Sequence, residues 1–179
     1  MKPAYRTVAV KKRHYQDQEL PKFWRPKLDD SQQVRAQVIH WDLVTRFTDG
    51  SADSEDLWDW METGMTYHKM MKLLIEDGMT FTPEAQDALA SQLGTYEDII
   101  ARYQRTRRVA FSAPEYLIAK AAACVMDSLI ALDRHGVAKQ AGTWAVEQML
   151  GVRKTLLTDP QFSPATPTHH HPKDQPHVA

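Results

Sequence analysis

An all-α fold, a bundle of about five helices, is what this sequence predicts, and three observations carry the expectation. Apolar residues recur at three- and four-residue spacing over most of the span 29–158, the period of a helix with one buried face. Start and stop signals punctuate that span: Asp29-Asp30-Ser31, Ser51 or Asp53, Thr82-Pro83 and Ser112 at starts, Gly50, Gly78, Gly136 and Asp159-Pro160 at ends. No β-alternating stretch of useful length, internal repeat or Gly-rich phosphate loop interrupts the pattern.

Taken in order, residues 1–28 carry Pro3, Pro21 and Pro26 with Tyr5, Tyr15, Phe23 and Trp24 among basic side chains, and read as an arm without regular structure. Phe23 and Trp24 are expected to dock on the bundle, because two large aromatics in water are adhesive. The first helix follows Asp29, with Val34, Val38, Trp41 (or Ile39) and Thr45 or Val44 as its inward stripe, and stops at Gly50. The second runs to about Asp77, with acids crowded at its positive end and Leu57, Met61, Gly64, Met65, His68, Met71, Lys72 and Ile75 on one side. Its other side begins as Glu55, Asp59 and Glu62 and ends as Met70 and Leu73.

The third helix opens at Thr82-Pro83-Glu84, presents Ala85, Leu89, Leu93, Tyr96, Ile100 and Tyr103, and ends in the cationic run Arg102–Arg108. Ser112–Gly136 is the segment the bundle is expected to surround. Ser112 with Glu115 makes a capping box, and Leu, Ile, Ala, Val, Met and Cys face nearly every direction from Tyr116 to Leu132. A polar seam of Lys120, Asp127 and Arg134 is its outlet to solvent. The fifth helix, from about Val137 to Leu157, turns Ala141, Trp144, Ala145, Gln148 or Met149, and Val152 inward. Residues 159–179, rich in proline and histidine, read as a disordered tail, so the domain limits are 1–28, 29–158 and 159–179.

Composition excludes several function classes. With 179 residues, 42% hydrophobic, 25% charged and a net charge of −1, the chain is one ordinary globular domain without a global field for nucleic acid or membrane. Charge is local instead. Eight bases face two acids from Met1 to Leu28, and eight acids face two bases from Asp49 to Asp77, so the two regions can neutralise each other. One cysteine, Cys124, rules out a disulfide framework and reads as an inert core thiol, with Ser128 bonding back to a backbone carbonyl. Without an apolar leader region or spanning run, a cytoplasmic location is expected.

No motif supplies catalysis or a cofactor. The Glu-x-x-His pairs of a di-iron bundle are missing, Glu62 and His68 are six apart, and His40 and His68 read as structural histidines. His169-His170-His171 on a flexible tail makes a weak, adventitious metal site. The expectation is therefore no enzyme, no cofactor and no metal, with an unrecognised carboxylate site as a minor alternative.

Two binding readings are open. The acidic, tryptophan-bearing start of the second helix and the apolar groups beyond it suit a protein partner or self-association, with Trp58, Asp59, Trp60, Glu62, Met70 and Leu73 as contact residues. Alternatively, Met70 and Leu73 lie under the N-terminal arm. The second reading is a nucleic-acid-binding accessory protein using Lys11, Lys12, Arg13, Arg102, Arg105, Arg107 and Arg108, basic clusters with interleaved tyrosine.

Lys2, Pro3, Tyr5, Arg6 and Val8 form a K-P-x-x-Y-R-x-V start, and Thr48-Asp49-Gly50-Ser51-Ala52-Asp53 with Asp56, Leu57 and Trp58 forms a turn into a long helix. In this order of parts the first third of the chain resembles small accessory proteins carried by phages and integrated mobile elements of Gram-negative bacteria. That group brings no assigned active site, so no functional residue transfers. The resemblance implies a non-catalytic protein acting on a host or phage protein complex, in its sharpest form an inhibitor of a host defence nuclease.

Overall fold

In the computed structural model residues 26–158 are described, with side chains to residue 152. Five helices make up this part: α1 Asp30–Asp49, α2 Ser54–Glu76, α3 Pro83–Thr106, α4 Ala113–Ala131 and α5 Val137–Thr158. The fold is an all-α bundle, and no strand occurs among the described residues. Apart from Pro26–Leu28, the expected arm lies outside the described residues, as does the tail.

Local chemistry sets the helix starts. The Asp29 carboxylate accepts from the Gln32 backbone N–H at 2.9 Å while the Gln32 side chain accepts from the Asp29 N–H at 3.1 Å. Asp53 and Asp56 repeat the arrangement for α2, the Thr82 hydroxyl accepts from the Ala85 N–H for α3, and Glu115 accepts from the Ser112 N–H at 2.6 Å for α4. Gly50 ends α1 in the left-handed region at φ 77°. One stop is misplaced in the sequence reading. α4 ends at Ala131, not at Gly136, because His135 and Gly136 both take positive φ in the turn that launches α5.

The bundle is built around α2 rather than around the Ser112–Gly136 segment. α2 packs on each of the other four helices, most extensively on α5, whereas α4 lies chiefly against α1 and α3. Two apolar clusters share α2 end to end. Leu57 and Trp60 join Leu43, Phe47, Tyr96, Ile99 and Ala119, while Tyr67, Met70 and Leu74 join Leu89, Met126, Leu129 and Ala141. Gly64 stands at the join. A Cβ there would lie 2.0 Å from the Gln92 amide oxygen, so this buried α3 side chain rests against the bare α2 backbone, and its Nε2 donates to the Trp60 carbonyl at 3.2 Å. Near the start of α2 Phe47 stacks on Phe111, and the Trp60 ring lies tilted against the first and edge-on to the second, with ring centroids 4.7–5.8 Å apart.

Several inward faces differ from those the periodicity suggested. α1 buries His40, Leu43, Val44 and Phe47, while Val34 and Val38 stand in solvent. α2 buries Trp60, Tyr67, Met70 and Leu74 beside the expected Leu57, Gly64 and Met71, and leaves Lys72 and Ile75 outside. α4 keeps an open side bearing Leu117, at 65% exposure, with Ala121, Cys124 and Ser128. Cys124 is consequently exposed, not a core thiol, because three helices cover α4 on one side and none covers the other. The Ser128 hydroxyl donates to the Cys124 carbonyl at 3.1 Å. α5 buries Ala141, Ala145 and Met149 but leaves Gln148 and Val152 exposed.

Candidate functional site

Helix α1 carries two apolar stripes. The inner one follows Ala36, His40, Leu43, Val44 and Phe47; the outer one follows Val34, Val38, Trp41 and Thr45, one helical turn apart at each step. Val34 and Val38 are 58% and 60% exposed, and Ile39 beside them is 50% exposed. Trp41 is half-buried, since its indole N–H donates to Asp127 on α4 at 2.9 Å. A helix at the surface of a bundle needs one apolar stripe, and this helix has a second that no other helix covers among the described residues.

Beneath that stripe runs a buried polar chain. The His40 Nε2 lies 2.9 Å from Asp127 Oδ1, and its Nδ1 lies 3.3 Å from the Tyr67 hydroxyl. A carboxylate only accepts, so Nε2 carries the proton and Nδ1 accepts from Tyr67. Burial pulls the His40 imidazole below its ordinary pKa of 6.5 despite the opposing pull of Asp127, and leaves it neutral at pH 7. Tyr67 is pushed well up, by burial first and by the Asp127 charge second. Carboxylate, imidazole and hydroxyl stand in the order of a nucleophile relay, but a phenol held protonated is a poor nucleophile. What the chain does is tie α1, α2 and α4 together through side chains 87 and 27 residues apart.

This chain has a measurable pH signature. Unfolded histidine takes up a proton near 6.5, whereas folded His40, and His68 through its partial burial first and the Lys72 charge second, resist it. The unfolded state thus binds more protons as pH falls below 6.5, and stability drops there by up to about 1.4 kcal/mol per pH unit for buried His40 and by less for His68, whose charge water screens. Above 6.5 this contribution is fully present. Urea midpoints at pH 7.5 and 5.5 check it: a decrease at the lower pH is expected, and in a His68→Gln background the remainder disappears with His40→Gln.

Between α1, α2, α4 and α5 lies a cavity of about 370 Å³, with Leu28 and Ile39 among its lining residues. Asp133 holds this corner: its carboxylate accepts from the Leu28 N–H at 2.7 Å and from the Ala138 N–H at 3.0 Å, which pins the chain before α1 to the first turn of α5.

The contact residues expected on α2 divide. Trp60 and Met70 are both 0% exposed and Leu73 packs against the core, so the first two belong to the interior. Met70 and Leu73 looked superficial from the sequence because α5, not solvent, occupies their side of α2. Trp58 is half-buried beside Tyr96 with ring centroids 6.5 Å apart, Asp59 is exposed, and Glu62 lines the cavity. The six do not form one surface.

The arginines divide as well. Arg102 turns inward, its guanidinium donating to the Ala110 carbonyl and to Glu115. Burial raises the Glu115 carboxyl, yet the Arg102 and Ser112 hydrogen bonds outweigh this and hold it below the usual carboxylate range. Arg102 is thereby a fastener between α3 and α4, whereas Arg105, Arg107 and Arg108 are exposed, Arg107 lying over the Tyr103 ring at 5.8 Å. Lys11, Lys12 and Arg13 lie outside the described residues. Within those residues no group of three or more His, Cys, Asp or Glu is placed to hold a metal, and no helix is long and apolar enough to cross a membrane.

Sequence reasoning missed the outer role of Val34 and Val38, the Asp127 and Asp133 bonds and the cavity. Only the first leaves a signal, since the spacing of Val34, Val38 and Trp41 marks a stripe without showing which side of the helix is covered. No protein-family model, curated protein or solved structure matches this chain.

Proposed function

We propose that this chain is a non-catalytic protein-binding module whose contact surface is the outer stripe of α1, centred on Val34 and Val38. The supporting observation is that second stripe: two aliphatic side chains one turn apart, each more than half exposed, on a helix whose opposite side already fills the core. Its occupant is a protein surface with an apolar centre, on a host or phage complex, and the polar residues around the stripe, Arg35 and Asp42, supply a rim of both signs. The likeness of the first third of the chain to mobile-element accessory proteins supports an acting partner inside a bacterial host. Inhibition of a defence nuclease complex is the sharpest form of this reading.

The test uses Val34→Lys with Val38→Glu. Both positions are in solvent, so the melting temperature should stay within about 2 °C of wild type, in keeping with surface substitutions of less than ~0.5 kcal/mol. A stoichiometric partner recovered from nuclease-treated bacterial lysate with the wild type should be lost with the variant. Retention of the same partner by the folded variant would overturn the assignment.

A nucleic-acid role has one observation in its favour, the exposure of Arg105, Arg107 and Arg108 together at the end of α3. It requires affinity that falls steeply with salt and disappears when those three become alanine.

A further inference from the structure

The geometry points to a second binding site, distinct from the outer stripe of α1: the cavity behind that helix takes a small, neutral, largely apolar molecule. Four helices contribute to its walls, and small side chains create the space, Ala36 from α1 facing Ala138 and Gly142 from α5. It is a pocket open to the surface on one side, and its volume of about 370 Å³ lies at the small end of the roughly 300–1,000 Å³ of clefts that take small molecules.

The lining also defines the ligand's chemistry. Met70, Ile130, Ile39 and the three small residues make the walls apolar, so apolar surface is what the cavity removes from water most favourably. The lining carries one acid, Glu62, and one base, Lys139, which leaves no net charge to select an ion. Thr63, Thr66 and Tyr67, all on α2, give polar atoms for a hydroxyl or amide on that wall. Ile39 belongs both to the lining and to the exposed side of α1, which places the route in at the α1 edge.

Titration of the full-length protein with N-phenyl-1-naphthylamine, a neutral aromatic probe that fluoresces in apolar surroundings, tests the site. Saturable one-to-one binding and a rise in melting temperature with probe concentration are expected. Gly142→Leu should weaken binding at least tenfold while circular dichroism is unchanged. A Cβ at Gly142 meets only Thr66 Cγ2 at 3.9 Å, so the added side chain grows into the void. Ala36→Met is the second filling variant, and weakens binding likewise if Gly142→Leu fails to fold. Val34→Lys with Val38→Glu should leave probe binding unchanged, which separates this site from the proposed partner surface. Absence of saturable binding to the wild type, or equal binding by a folded filling variant, would overturn the inference.

Discussion

Trp60→Ala is expected to destabilise the protein by about 3–5 kcal/mol, the usual effect of deleting a large buried aromatic. The indole is 0% exposed, lies tilted against Phe47 and edge-on to Phe111, and belongs to a residue whose carbonyl receives the Gln92 side chain. Domains of this kind hold only about 5–15 kcal/mol in total, so about a fifth of the stability or more is at stake. The urea midpoint should fall sharply with little change in slope. Met70→Glu with Leu73→Lys should have at least as large an effect, because a carboxylate placed in the apolar packing of Met70 is left poorly solvated. An unchanged midpoint for Trp60→Ala together with lost partner capture would instead make the indole a contact residue and return the interface to α2.

Arg102→Ala is expected to cost about 3 kcal/mol. Breaking a buried ion pair by removing one partner typically costs 3–5 kcal/mol, and the lower end applies because the Arg102 side chain keeps 25% of its surface in water against 8% for Glu115. The loss has two parts. The Ala110 carbonyl gives up its donor, and the nearly buried Glu115 carboxylate keeps Ser112 but loses its cationic partner. Arg102→Met with Glu115→Gln should recover part of the stability, since the neutral amide can still accept from Ser112 and no buried charge remains. Thermal unfolding of the two singles and the double variant measures the coupling. Were Arg102 a phosphate contact, the single variant would leave the melting temperature alone and reduce the salt dependence of nucleic-acid affinity.

The two substitutions bear on the choice of function from opposite directions. Trp60 and Met70 removed from the surface leave Val34 and Val38 as an exposed aliphatic pair one turn apart on α1, and Arg102 removed from the basic run leaves three arginines in place of four. The proposed protein contact therefore rests on α1 rather than on α2, and the nucleic-acid alternative rests on three arginines.

The sequence by itself determined the class, the number of helices and nearly all their starts. Capping is a contact between residues two or three apart, so Asp29 with Gln32, Asp53 with Asp56 and Ser112 with Glu115 carry their structural meaning within one turn. It also determined that α1 has an apolar stripe through Val34, Val38 and Trp41. Which side of each helix faces inward was decided by the tertiary structure. Periodicity reports that a stripe exists and is silent on what covers it, so the outer stripe of α1 was read as the inner one, and α4, apolar in most directions, was read as enclosed although α2 holds the centre. The cavity and the polar chain from Asp127 through His40 to Tyr67 depend on residues brought together from separate helices, up to 87 positions apart. Contacts of that range have no local spacing rule, and only the packing of the bundle brings them together.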